Sequence, residues 1–195
     1  MYKDDIKEYC DSKNFGILKE EDCFCQIKSN TYSIEEYVKN NINNFYFYNN
    51  ATTIDVWKSS FLDYETSTEI VKNNETLSKI NEVIKISNCM IMNVSSNSWV
   101  TWHYDTPRRG PALNLLLTPE ARSFSIFTSK YPEVSNLIEC KYVPHQFCLY
   151  NTDVVHSILN FETPRYMFTA CFERGQTDLT WKEAKDTLSS IGLLL

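Results

Sequence analysis

The hydrophobic rhythm of the chain changes near residue 88. Upstream, residues 67–86 carry Ile70, Val71, Leu77, Ile80, Val83 and Ile84 at helical spacing with charged residues between them, which predicts a helix. A shorter helix is predicted over Ser33–Ile42, with Ser33 as its cap and Glu35 and Glu36 in its first turn. Phe45–Tyr48 and Thr52–Trp57 are rich in aromatic and β-branched residues and predict short strands. The rest of residues 1–45 is polar and mixed.

After Asn88 the pattern becomes that of strands. Cys89–Val94, Trp99–Tyr104, Ala112–Leu117, Phe124–Thr128, Ile138–Val143, Phe147–Tyr150, Val154–Leu159 and Arg165–Phe172 are short strand-like runs. Turn residues such as Asn97, Pro107, Gly110, Pro119, Pro132, Pro144, Asn151 and Pro164 separate them. That many short strands without intervening helices imply a sandwich or barrel, and a double-sheet jelly roll suits the count. The tail Asp178–Leu193 predicts a last helix burying Leu179, Trp181, Ala184, Leu188 and Ile191. The expected fold is mainly β with flanking helices (α+β), around a double-stranded β-helix core of the jelly-roll or cupin-like kind. Residues 1–88 form an extension packed on that core and residues 89–195 form the core and its final helix, in one structural domain.

Composition narrows the class. A net charge of -6 with scattered Lys and Arg argues against a nucleic-acid partner, whose binding relies on clustered cations. There is no apolar leader and no run near the ~20 residues a membrane helix needs, so no membrane partner is expected. The 7 Cys are odd in number and lack framework spacing, which implies reduced thiols in a cytoplasmic setting. Cys23-Phe24-Cys25 is tighter than zinc-site spacing, and no second Cys/His pair follows it. With 4 Gly in the whole chain, turns that need positive φ fall to Asn.

The chain has 3 His, and two of them sit at strand ends. In a strand, residues two apart share a face, so His103 and Asp105 can meet one metal ion. His156, several strands later, can complete the set if the sandwich brings its strand close. Two imidazoles and one carboxylate leave positions open on an octahedral Fe(II). A zinc ion suits the same ligands, and the ligands alone do not separate the two. Arg165 does. It comes nine residues after His156, beyond the turn at Glu162–Pro164, on a strand expected to run antiparallel to that of His156. It then enters the apolar run Tyr166–Phe172, where a charge demands a partner. A guanidinium there suits the distal carboxylate of a keto-acid that chelates the metal, such as 2-oxoglutarate.

His103-x-Asp105, then His156, then Arg165 resembles the 2-oxoglutarate/Fe(II) dioxygenase superfamily. The run Asn151-Thr-Asp-Val-Val-His156-Ser-Ile-Leu-Asn160 followed by Arg165 is similar to its aspartyl/asparaginyl β-hydroxylase branch; prolyl hydroxylases, more distant, usually place Lys where Arg165 stands. The resemblance covers about residues 90–172. It implies Fe(II) on His103, Asp105 and His156, 2-oxoglutarate as co-substrate on Arg165, O2 as oxidant, and release of succinate and CO2. The implied reaction is hydroxylation of an amino-acid side chain, in a peptide or protein or in a small amino-acid-like metabolite.

Neighbouring residues carry weaker expectations. Asn114, the amide in the apolar run Ala112–Leu117, is expected to touch the co-substrate, as related enzymes place a polar contact on this strand. Asn160 is expected to brace the His156 loop. Arg108 and Arg109 suit either an acidic substrate or a solvated loop. Trp99, Trp102 and Tyr104 suit the mouth of the site or the core. His145 is expected in a turn, with no role. Two rival readings stay open: a cupin-like metal enzyme that does not use 2-oxoglutarate, and a non-catalytic jelly roll that binds or builds.

Overall fold

A computed structural model of the chain describes residues 3–49, 57–105, 110–133, 136–173 and 179–195. The elements are α1 (Lys3–Lys13), α2 (Glu20–Cys23), β1 (Phe24–Ile27), α3 (Tyr32–Asn41), β2 (Tyr48–Asn49), β3 (Trp57–Phe61), α4 (Tyr64–Asn73) and α5 (Glu75–Val83). The second half supplies β4 (Ile86–Val94), β5 (Ser98–His103), β6 (Ala112–Leu116), β7 (Ser123–Thr128), β8 (Ile138–Cys140), β9 (Phe147–Tyr150), β10 (Val155–Asn160), β11 (Arg165–Phe172) and α6 (Trp181–Ser190).

Among the described residues the strands form a seven-stranded sheet, β1-β9-β6-β11-β4-β3-β2, and a four-stranded sheet, β5-β10-β7-β8, with neighbouring strands antiparallel. The architecture is the double-stranded β-helix expected from the strand count. Side-chain alternation explains how the layers stack. On β11, Phe168, Ala170 and Phe172 join Ile91, Leu113, Leu115, Phe147 and Leu149 in the main core. Helical residues cover that face: Ile34 and Val38 of α3, Ile70 and Val71 of α4, Leu77 and Ile80 of α5, Ala184 and Leu188 of α6. Each such fully buried side chain contributes roughly 1.5–3 kcal/mol. Met90, Met92 and Met167 sit on the alternate positions and pack in a separate cluster. With both faces covered, β11 reads as a nearly continuous apolar run.

Several expectations are corrected. The helix expected over residues 67–86 is two helices broken at Asn74, which ends α4 and caps α5. Its Oδ1 accepts the Leu77 N–H at 3.1 Å and its Nδ2 donates to the Asn30 carbonyl at 2.8 Å. An Asn competes poorly inside a helix and well at a cap. Val83, expected on the buried face, is exposed. Replacing Asn74 by Ala is expected to lower stability by about 2 kcal/mol, from the lost cap and the stranded Asn30 carbonyl. Urea unfolding checks this; a midpoint within error of the parent would refute it.

The α3 helix starts at Tyr32, so Ser33 is not its cap; the Ser33 Oγ instead accepts from the Asn74 Nδ2 at 3.4 Å. Of the two upstream strands, Tyr48–Asn49 and Trp57–Phe61 pair with each other, Phe45 and Phe47 pack on the core without joining a strand, and residues 52–56 lie outside the described residues. The tail helix begins at Trp181, capped by Thr180 with Glu183, and residue 178 lies outside the described residues. It stops at a left-handed Gly192 (φ +70), where the Leu193 N–H donates back to the Leu188 carbonyl. That turn buries Leu193 and leaves Ile191 exposed. Asn14, Asn97 and Asn136 take positive φ, the role that scarce Gly leaves to them. The α1 helix and the β1 strand lie in the polar, mixed stretch whose pattern predicts neither. No helix among the described residues is long and apolar enough to cross a membrane.

Candidate metal centre

The four-stranded sheet places the two histidines side by side. In the ladder between β10 and β5, His156 stands opposite His103, with ring centroids 4.3 Å apart. They are therefore neighbours within one sheet, not residues facing each other across the sandwich. Directly after His156 the register shifts by a bulge. Ser157 spans this irregularity: its Oγ donates to the Val100 carbonyl at 2.8 Å and accepts the Trp99 Nε1–H at 2.6 Å. Bulges re-aim side chains beside sites.

Asp105 lies just past the end of β5. Its N–H donates to the Thr152 carbonyl at 3.0 Å, and the Thr152 hydroxyl donates to the Gly110 carbonyl at 2.8 Å. Asp105 Oδ1 is 3.9 Å from His103 Nε2. One ligand atom from each of His103, Asp105 and His156 lies within 4.8 Å of the others. Three ligand atoms on one ion at about 2.1 Å lie roughly 3.0–3.6 Å apart, so small side-chain movements close this cluster on a metal.

Backbone carbonyls fix the imidazole tautomers. His103 Nδ1 is 2.7 Å from the Thr101 carbonyl and His156 Nδ1 is 2.8 Å from the Val154 carbonyl. A carbonyl only accepts, so each Nδ1 carries a proton, and in the neutral ring that leaves the lone pair on Nε2. His103 Nε2 is buried and has no hydrogen-bond partner among the described residues. An orphaned acceptor of this kind fits a metal ion.

A small cavity of about 30 Å³, open to solvent, is lined by these ligands. Met92, Asn114 and Met167 line it from the seven-stranded sheet. Asn114 is buried, and its Oδ1 accepts the Thr169 hydroxyl at 2.9 Å across the β6–β11 ladder. Trp57, Ser125, Tyr142 and Tyr150 also line the cavity, and sequence reasoning missed all four. The signal that singled out Asn114, a polar tip at an inward position of an apolar run, applies equally to Ser125, Tyr142 and Tyr150. The Tyr150 hydroxyl, like the Trp57 Nε1, is buried without a hydrogen-bond partner among the described residues. Burial pushes the Tyr142 and Tyr150 hydroxyls well above the usual tyrosine range, so both stay neutral.

Arg165 is 1% exposed and is among the largest fully buried side chains. Its Nη1 donates to Ser123 Oγ at 3.2 Å, and its Cζ lies 5.2 Å from the centre of the Tyr142 ring. Nε and Nη2 have no hydrogen-bond partner, and no salt bridge to Arg165 is found among the described residues. The strand geometry differs from expectation. β11 is not the antiparallel neighbour of β10; it lies in the other sheet, between β6 and β4. The turn after Asn160 carries the chain from one sheet to the other, because β11 needs apolar cover on both faces. Arg165 then reaches back to Ser123 of the four-stranded sheet.

Other expected residues fall elsewhere. Asn160 does not brace the His156 loop; its Nδ2 donates to the Val94, Ser95 and Thr163 carbonyls, holding the crossing turn to the end of β4. Trp99 is half exposed, while Trp102 and Tyr104 pack against α1, so none of the three lines the cavity. His145 sits at a left-handed turn position (φ +61), with Nδ1 2.8 Å from Glu35 Oε2. Cys23 and Cys25 pack against different clusters, and all seven cysteines are free. Arg108 and Arg109 lie outside the described residues.

No family model matches the sequence, and no curated protein does. Solved structures do match. One is an oxidoreductase of the 2OG-Fe(II) oxygenase family from Burkholderia pseudomallei, with a TM-score of 0.59 at 7% identity, covering 89% of this chain and 92% of that one. HygX from Streptomyces hygroscopicus, with nickel and 2-oxoglutarate bound, matches at a TM-score of 0.56 and 10% identity, covering 83% and 89%. A Trichoplax adhaerens prolyl hydroxylase, in complex with a hypoxia inducible factor peptide fragment, matches at 0.53 and 16%, covering 96% and 97%. At these identities the likeness lies in the fold, which this chain shares with 2-oxoglutarate-dependent oxygenases over most of its length.

Proposed function

We propose that the protein is an Fe(II)- and 2-oxoglutarate-dependent oxygenase that hydroxylates an amino-acid side chain. One observation carries this reading: a His-Asp-His cluster, whose buried His103 Nε2 has no hydrogen-bond partner among the described residues, shares a sandwich interior with a buried guanidinium that has no counter-anion among those residues. A metal with nitrogen and oxygen ligands fits the first feature, and a dicarboxylate fits the second.

In this reading His103, Asp105 and His156 hold the iron, and Thr101 and Val154 hold the imidazoles in the metal-binding tautomer. Arg165 receives the distal carboxylate of 2-oxoglutarate, with Asn114 as a further contact. Tyr142 and Tyr150 stay neutral and offer hydroxyls to the same space. Bound iron and 2-oxoglutarate together supply the activation of O2 for C–H oxidation, with succinate and CO2 released. The sandwich walls hold the reacting parts in place. The chain acts as a single domain in which residues 1–88 add strands and helical cover to the core.

The substrate class rests on two supports. The run from Asn151 to Asn160 with Arg165 resembles the aspartyl/asparaginyl β-hydroxylase branch. Among the structural neighbours, one prolyl hydroxylase holds a peptide fragment, while HygX has been solved with hygromycin B. A peptide or protein side chain is the first candidate and an amino-acid-like small molecule the second.

Anaerobic titration with Fe(II) and then 2-oxoglutarate tests the cofactor pair. The expected result is a weak visible metal-to-ligand charge-transfer band that needs both additions. Tight metal binding without the band would favour a cupin-like enzyme that does not use 2-oxoglutarate. No metal binding would leave a non-catalytic jelly roll.

A further inference from the structure

Helix α1 adds no strand to either sheet, yet it touches both segments that carry the candidate ligands. Ile6, Tyr9 and Cys10 are spaced i, i+3 and i+4, so they share one helical face. Ile6 and Cys10 are buried against Val155, the residue before His156. Tyr9 stacks flat on Tyr104, with ring centroids 3.6 Å apart and planes 5° from parallel. Tyr104 is the residue between His103 and Asp105, and Trp102, just before His103, packs against the same cluster. The Tyr9 hydroxyl donates to the Asp153 carbonyl at 2.9 Å, three residues before His156.

Alternation along a strand puts Trp102 on the face opposite His103, and Val155 on the face opposite His156. The α1 helix thus backs the sheet behind the ligands. Its cluster is separate from the main core beneath α3–α6. The ligands come from two segments, and β5 ends at His103, so Asp105 lies beyond the last ladder pair. A contact that grips Tyr104 and Asp153 together fixes the distance between those segments.

We propose that α1 is a positioning element of the metal centre, with Tyr9 as the residue that sets the spacing of the 103–105 and 153–156 segments. The inference rests on the metal-centre reading above. Outer groups that orient metal ligands change affinity by roughly 10- to 100-fold when removed, and Tyr9, which acts through the backbone, belongs at about the lower end.

The test is anaerobic Fe(II) titration of the full chain, with melting temperatures measured in parallel. The proteins are the parent, Tyr9→Phe, Tyr9→Ala and Leu188→Ala. Tyr9→Ala is expected to raise the Fe(II) Kd about 10-fold. Tyr9→Phe keeps the stack and loses the hydrogen bond, so its Kd should fall between those of the parent and Tyr9→Ala. Leu188→Ala removes a buried side chain of α6 and should lower the melting temperature with the Kd unchanged. A parent-like Kd in Tyr9→Ala, or an equal loss of affinity in Leu188→Ala, overturns the proposal. If Tyr9→Ala does not fold, an unchanged Kd in Tyr9→Phe overturns it. Absence of Fe(II) binding in the parent overturns the metal-centre reading itself, a separate and recognisable outcome.

Discussion

Arg165→Met is expected to make the ligand-free protein more stable while removing its affinity for 2-oxoglutarate. The two effects share one cause. Arg165 is 1% exposed, two of its guanidinium nitrogens lack hydrogen-bond partners among the described residues, and the group touches one serine hydroxyl and one aromatic face. Neither neutralises the charge. A cation–π contact returns about 2 kcal/mol when desolvated, against several kcal/mol for taking an ion out of water. A shorter, unbranched thioether removes that penalty, and apolar replacement of buried ionic groups stabilises by about 1–4 kcal/mol. For a chain of this size, each 1 kcal/mol shifts the melting temperature by about 2–4 °C. Losing one partner of a buried charge pair weakens binding by about 2–5 kcal/mol, so the 2-oxoglutarate Kd should rise roughly 30-fold or more. Melting curves and calorimetric titration check both halves. A variant that melts lower and binds 2-oxoglutarate like the parent would show that Arg165 is structural.

Asp105→Ala is expected to abolish metal binding without unfolding the chain. Asp105 supplies the carboxylate of the three-residue cluster. Its backbone is held separately, through the N–H to the Thr152 carbonyl. The parent, with Fe(II) at 100 times its Kd, should gain about 2.7 kcal/mol of stability by mass action. The variant should gain nothing at the same concentration, since losing a direct ligand exceeds the roughly 10- to 100-fold effect of losing a supporting one. The ligand-free melting temperature should stay close to the parent's. An undiminished metal-induced shift would remove Asp105 from the centre and leave a two-histidine site.

The pair of predictions separates the halves of the candidate site. Asp105 tests the metal and Arg165 tests the co-substrate. A protein that fails only the second is the cupin-like enzyme; a protein that fails both is a binding or structural module.

The sequence by itself determined the strands of the second half, because alternation and turn residues are local properties of the chain. It also determined the candidate ligands, since imidazoles and an Arg entering an apolar run stand out without any knowledge of pairing. Only the tertiary structure decided which strand pairs with which. Periodicity reports that a face is buried and not what buries it, so β10 and β11 looked like neighbours although they lie in opposite sheets. The same limit hid Tyr142 and Tyr150, whose places in short strand-like runs carry no sign of the cavity they line. It hid the bond from the Asn74 Nδ2 to the Asn30 carbonyl, far away in the chain, although the cap on Leu77 is local. The four-residue β1 is too short to carry a period and exists because β9 offers it an edge. Long-range hydrogen bonding and two-sided burial, which no local window of sequence contains, fixed the rest.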